Sequence, residues 1–243
     1  MKRVLLKISF DGTGYHGWQI QKNAVTVSKV FSDSLEKLLK VKTPVTGCSR
    51  TDAGVHAKEY YCHLDCEDSI PKNAFILGLN SILPDDISVT DAFFVKNDFH
   101  ARFNAKGKTY IYNFYTGVTD PFFSRYAFRL ERSPDILLMN DFCRRIIGTH
   151  DFVSFSSSKR TVENTIRTIY SCSTEAYENR IKLTVTGNGF LYNMVRIIAG
   201  TALEVGLNML NPDCADKAFA TNNRNELGKT LPANGLFLEK VYY

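Results

Sequence analysis

The sequence predicts an α+β protein: two ferredoxin-like (RRM-like) β-α-β-β-α-β halves sharing a mixed, mainly antiparallel sheet, with helices packed on one face. Three observations predict it. Short segments alternate apolar and polar residues between Gly-, Pro-, Asn- and Asp-containing turns. Segments with apolar residues three and four apart lie between them. The order of the two kinds of segment then occurs twice along the chain.

Val4 to Phe10 reads as the first strand, closed by the Asp11-Gly12 turn signal. Val27, Val30, Phe31, Leu35, Leu38 and Leu39 follow at helical spacing, with Thr26 placed to cap the helix. Pro44–Cys48 and Tyr60–Cys66 read as strands, residues 72–82 as a helix, and Ile87–Val95 as a strand. The second half repeats this order more loosely. Thr109–Tyr115 alternates as a strand, and residues 135–147 carry Ile136, Leu137, Phe142, Ile146 and Ile147 at helical spacing. Ile166–Thr174 and Ile181–Thr186 form a strand pair around the polar Tyr177-Glu178-Asn179-Arg180 turn. Residues 190–206 read as an apolar helix ended by Gly206, a short helix follows Pro212, and Leu236–Tyr243 closes with a strand. With no long linker, the boundary falls near residue 105, giving halves 1–104 and 105–243.

The 243 residues are 44% hydrophobic and 23% charged, proportions that exclude disordered, collagen-like and low-complexity classes. No apolar run reaches the ~18 residues of a membrane helix, and Lys7 interrupts the N-terminal apolar stretch too early for a signal peptide. The expected location is the cytoplasm. Six cysteines are then expected as reduced thiols. Cys62, Leu64 and Cys66 read as the inward face of a strand rather than a metal half-site, because no second ligand pair completes one. The net charge of +5 permits a nucleic-acid partner without requiring one. Basic residues cluster at Arg125, Arg129 and Arg132, at Arg144-Arg145 and at Lys159-Arg160, though a solvated face would look the same.

Gly12-Thr13-Gly14-Tyr15-His16-Gly17 spells G-x-G-x-x-G after a strand. A dinucleotide site needs a helix to open at once, and Trp18–Asn23 shows no helical stripe, so the cofactor reading is rejected. The stronger segment is Arg50-Thr51-Asp52-Ala53-Gly54-Val55-His56, a loop between two strands bracketed by Gly47 and Gly54. An isolated arginine two residues from an aspartate is usually an exposed surface pair of little energetic weight.

In its context, residues 47–57 resemble the active-site segment of the tRNA pseudouridine synthase A family. Further resemblances follow in family order. They are Gly14–Gln19, Asn80–Ile87, Phe99–Phe103 with Tyr110-Ile111-Tyr112, Asp151–Phe155, Gly189–Arg196 and Pro232–Leu236. The resemblance thus spans almost the whole chain. Leu231 departs from it, standing where a small residue is expected.

The resemblance implies an isomerase that converts uridine to pseudouridine in RNA without a cofactor or metal. The N1–C1′ bond breaks, the uracil turns in place and a C5–C1′ bond forms, so atoms and electrons balance. Asp52 is the implied catalytic carboxylate, by attack on C1′, addition to C6 or abstraction of the C2′ proton; all three require it ionised. Arg196, the only charge between Phe190 and Glu204, is expected to pair with it. Tyr110 is implied to stack on the target base, Arg50 to grip the backbone or fill the space a flipped base leaves, and Leu236 to line the pocket. His56 and His100 read as loop structure, and Phe190 and Leu191 as core. Relatives act on uridines 38, 39 and 40 of the anticodon arm as homodimers sharing one tRNA, so tRNA and a second copy are the expected partners. Two other readings remain: a synthase for another RNA, and a non-catalytic RNA-binding module on the same scaffold.

Overall fold

The computed structural model describes residues 1–157 and 163–243. It divides into two compact units, one of Met1–Lys106 with Phe237–Tyr243 and the other of Gly107–Leu236. The boundary read from sequence kept residues 105–243 together; in the structure the last strand leaves them for the first unit.

In the first unit, β1 (Lys2–Phe10) leads to α1 (Val27–Leu39), then β2 (Thr46–Gly47), β3 (His56–Cys66) and β4 (Ile87–Val95). β1 lies between β4 and β3 and is antiparallel to both, with Leu5 opposite His63 and Phe93. β2 holds the far end of β3 through Thr46↔His63 and Gly47↔Cys62. Val4, Leu6, Ile8, Cys62 and Leu64 of the strands are buried, as are Phe31 and Leu35 of α1. Thr26 caps that helix, its hydroxyl accepting from the Lys29 amide at 3.3 Å.

Two expectations change here. The strand expected at Pro44–Cys48 pairs only at Thr46–Gly47. The helix expected over 72–82 contains a π-helical stretch, Ala74–Gly78. A β-carbon on Gly78 would meet Leu38 Cδ1 at 2.7 Å, so the missing side chain lets this stretch lie against α1. The widened turn buries Phe75 and Leu79 while leaving Leu77 outside.

The second unit holds β5 (Gly107–Thr116), β6 (Phe128–Leu130), α2 (Ile136–Arg145), β7 (Gly148–Asp151), β8 (Ile166–Tyr177), β9 (Arg180–Gly187), α3 (Met194–Gly206) and α4 (Cys214–Thr221). Its strands run in the order β5-β9-β8-β7, every neighbouring pair antiparallel, with β6 parallel to the end of β5. The predicted β8–β9 hairpin is present, closed across Tyr177↔Arg180. Asp135 caps α2 by accepting from the Leu137 and Leu138 amides. That helix packs on β8 and α3, burying Met139, Phe142 and Cys143. α3 begins at Met194 rather than at residue 190, because Asn193 sits in the left-handed region at φ 61° and cannot continue a helix backwards.

β10 (Leu236–Tyr242) starts in the second unit and continues in the first, where Phe237 and Leu238 run parallel to His56 and Ala57. Both units therefore mix helices with a mainly antiparallel sheet, as the sequence predicts. No helix among the described residues is long and apolar enough to cross a membrane. All six cysteines are buried free thiols, and Cys62, Leu64 and Cys66 do face inward from β3.

Candidate active site

Asp52 stands half-buried in the turn between β2 and β3, and neighbouring backbone holds that turn closely. Val55 N–H donates to the Asp52 carbonyl at 3.2 Å, and Gly54 N–H to the Tyr15 carbonyl at 3.1 Å. Gly17, at φ +80°, presses on the other side: a β-carbon there would stand 2.2 Å from the Thr51 carbonyl oxygen. One on Gly12 would stand 2.0 Å from the Val55 carbonyl oxygen. Gly12 and Gly17, the outer glycines of the G-x-G-x-x-G string, thus give the 11–18 segment room to lie against the Asp52 turn, whereas a β-carbon on Gly14 would meet nothing.

Beneath the turn, Phe10, Trp18 and Tyr60 form an aromatic cluster, the Trp18 and Tyr60 rings 4.3 Å apart. The Tyr60 hydroxyl donates to the Ser49 carbonyl, tying the cluster to the approach to Asp52. Gly47 leaves space for both rings, since a β-carbon would meet Tyr60 Oη at 2.1 Å and Trp18 Nε1 at 2.5 Å. His56 closes the turn. It is fully buried and stacked on Phe237 at 4.5 Å, and its Nδ1 accepts from Gly12 N–H at 3.1 Å. The sequence reads this histidine as loop structure, whereas it is the first residue of β3. Tyr15 is buried with its hydroxyl donating to Asp86 at 2.6 Å, and burial with that carboxylate raises its pKa above the usual phenol value. Arg50 projects to solvent at the edge of the turn.

The remaining site residues belong to the second unit. Tyr110 is buried on β5, opposite Val185, with the Phe190 ring edge-on at 5.1 Å. Arg196 lies half-buried in the first turn of α3. Its Nε–H donates to the Leu231 carbonyl at 2.7 Å and its Nη1 to Asn193 Oδ1 at 2.8 Å. Asn193 in turn donates through Nδ2 to Ser157 Oγ at 2.8 Å. Asp52 and Arg196, the expected pair, lie in different units. Leu236 is buried at the start of β10. Just before it, Asn234 Nδ2 donates to the Ser124 and Ala127 carbonyls, and Tyr112 donates its hydroxyl to the Pro232 carbonyl at 2.8 Å. Burial pushes the Tyr112 phenol up, opposed by the Arg196 charge. Leu231, the departure from the family pattern, is fully buried, so its bulk fills core while its carbonyl holds Arg196.

Tyr112, Asn193 and residues 231–235 fall in or beside segments that the sequence marks as family-like, but sequence reasoning assigned them no role in the site. The available signal for Asn193 was a polar residue interrupting an apolar run three positions before a lone arginine. The basic clusters resolve unevenly. Arg144 and Arg145 pair with Asp141 and Asp216, and Arg129 and Arg132 donate to the Gly117 and Leu207 carbonyls. Lys159 and Arg160 lie outside the described residues.

Residues 142–243 match a family model described as tRNA pseudouridine synthase. The tRNA pseudouridine synthase A of Clostridium acetobutylicum is 44% identical over 244 residues, covering 100% of both chains. The protein of the same name from Staphylococcus saprophyticus is 41% identical over 99% of this chain and 90% of its own. The one from Bacillus licheniformis is 40% identical over 99% of each. A solved structure of a Cbf5-Nop10-Gar1 complex covers 82% of this chain and 45% of its own at 12% identity; its TM-score of 0.37 is too low to carry an argument. On the end-to-end likeness to relatives of one name, the chain belongs to the tRNA pseudouridine synthase A family.

Proposed function

We propose that this chain is an enzyme that isomerises uridine to pseudouridine in the anticodon stem-loop of tRNA, at positions 38, 39 and 40. The observation that carries the reading is the likeness to tRNA pseudouridine synthases A across the full chain, including the whole Asp52 segment. The geometry supports it: a carboxylate at a reacting ribose must be held in place, and the contacts of Gly12, Gly17 and Tyr15 hold the turn that carries Asp52.

In this reading Asp52 is ionised and is the catalytic carboxylate. Arg196 supplies the positive charge that favours the ionised carboxylate. The target uridine leaves its stack at a cost of a few kcal/mol, and Tyr110 recovers part of that by stacking on the free base, about 1–3 kcal/mol. Arg50 holds the RNA where the base departed, and Leu236 presents an apolar wall to the uracil. No cofactor enters the balance, because every bond broken is matched by one formed on the same nucleotide. The enzyme acts in the cytoplasm as a homodimer sharing one tRNA.

The test is release of tritium from tRNA carrying 5-tritiated uridine. The native protein should release it, and Asp52→Ala should be slower by at least about a hundredfold while retaining tRNA on a filter. Absence of release by folded native protein from any anticodon-arm substrate would overturn the reading.

A further inference from the structure

Asn193 occupies a position that few residues could fill. Its backbone lies at φ 61° and ψ 3°, the left-handed region that Gly, Asn and Asp tolerate and other residues enter only with strain. Of those three, only asparagine carries both an acceptor and a donor, and the structure uses both. Oδ1 accepts from Arg196 Nη1 at 2.8 Å, and Nδ2 donates to Ser157 Oγ at 2.8 Å. The backbone takes part as well: Ile197 N–H donates to the Asn193 carbonyl at 3.0 Å, the first helical bond of α3.

Arg196 is therefore gripped on two sides. Nε is fixed by the Leu231 carbonyl and Nη1 by Asn193. Two bonds to a planar guanidinium from different chain segments fix both its plane and its rotation, and so the direction in which its remaining donors point. One bond alone would leave the fork free to swing about it. The Ser157 hydroxyl performs the same service one step out, preventing the Asn193 amide from turning its nitrogen towards the guanidinium.

We propose that Asn193 is a positioning residue for the reaction: through its amide, anchored on Ser157, it sets the orientation of the Arg196 guanidinium in the active site. This rests on the reading of Arg196 as a site residue given above. The side chain of Asn193 acts through Arg196, so its removal should lower turnover more than it weakens tRNA binding.

The experiment is a double-mutant cycle read by tritium release, with kcat and KM for tRNA measured separately. Asn193→Gly keeps the left-handed backbone without strain and deletes both side-chain bonds. It should lower kcat about tenfold or more, with KM within about threefold of native, the scale of losing an outer support of a charged group. Asn193→Asp retains an acceptor for Arg196 and should stay within about threefold of native. In the Arg196→Met background, Asn193→Gly should cost nothing further, because the group it positions is gone. A purely structural role would instead add its cost in both backgrounds. Should Asn193→Gly not fold, Ser157→Ala carries the same cycle. It should lower kcat roughly threefold with Arg196 present and have no effect with Arg196→Met.

Additive losses, or native kcat for Asn193→Gly, would overturn the proposal while leaving the site reading in place. Native activity for Arg196→Met would overturn both. Reduced kcat for Arg196→Met with no release from Asp52→Ala would keep the site reading, and the cycle then decides Asn193 alone.

Discussion

A single missing β-carbon shows how closely the Asp52 turn is held: Gly17 touches the Thr51 carbonyl where any side chain would collide. Histidine 63 makes the corresponding point for charge. It is buried on β3, and its Nδ1 accepts from Ala101 N–H at 3.1 Å, so that nitrogen is not available for a proton without losing the bond. Burial, with the Arg3 guanidinium and the His100 ring nearby, pushes its pKa down to about 4. An unfolded histidine titrates near pH 6.5, so between about 6.5 and 4 the unfolded chain binds a proton that the native state refuses. Stability from this group is intact above that window and falls as the pH drops through it, by up to about 1.4 kcal/mol per pH unit. His63→Asn supplies an acceptor that does not titrate, so urea denaturation from pH 6.5 to 4.5 should show a shallower loss than native. Equal slopes would refute the assignment.

At the scale of elements, α3 is where packing and chemistry meet. The helix starts late because Asn193 is left-handed, and its fourth turn ends at Gly206 against Met139 and Pro134. Midway, Gly200 allows the irregular segment 228–231 to lie on the helix surface: a β-carbon there would stand 1.9 Å from the Lys229 carbonyl oxygen. The same segment delivers the Leu231 carbonyl to Arg196 Nε. Gly200→Ala raises intrinsic helix propensity by about 1 kcal/mol, yet the collision must displace backbone, so a net destabilisation of roughly 1–3 kcal/mol is expected in urea denaturation. Tritium release should fall with it, because moving the Lys229 carbonyl shifts the segment whose Leu231 carbonyl is one of the two supports of Arg196. A more stable, fully active variant would show that the segment moves aside without consequence.

At the scale of the molecule, the chain closes on its own beginning. β10 leaves the second unit after Leu236, and Phe237–Tyr243 complete the first. Phe237 stacks on His56, Lys106 N–H donates to the Tyr242 carbonyl at 2.8 Å, and the Tyr243 hydroxyl donates to the Ala101 carbonyl at 2.8 Å. Leu238 is fully buried beside Ala57. Leu238→Ala should therefore cost about 2–5 kcal/mol. Hydrogen exchange should place the lost protection in residues 1–106, far away in sequence, and protection lost only in 107–236 would contradict this. The first unit thus draws part of its structure from residues that follow the whole of the second unit along the chain.

The elements legible in the sequence were those whose signals are local. Strand alternation at Thr109–Tyr115, the Thr26 cap and the polar turn before Arg180 depend on residues within a few positions of one another, and the Asp52 segment was readable because its whole pattern is contiguous. Less was legible where partners are distant. The three residues of β6 carry no period to detect, and the π-helical stretch at Ala74–Gly78 exists because α1 packs against it. The role of Asn193 was not legible because, although Arg196 is 3 residues away, its other partner Ser157 is 36 residues away in the chain. By itself the sequence determined the secondary-structure alternation, the α+β class and the family, since these follow from local periodicity and contiguous motifs. Only the tertiary structure decided which unit owns the last strand, what the glycines beside Asp52 are for and what holds Arg196, because each depends on close approach between segments whose separation along the chain leaves no local trace.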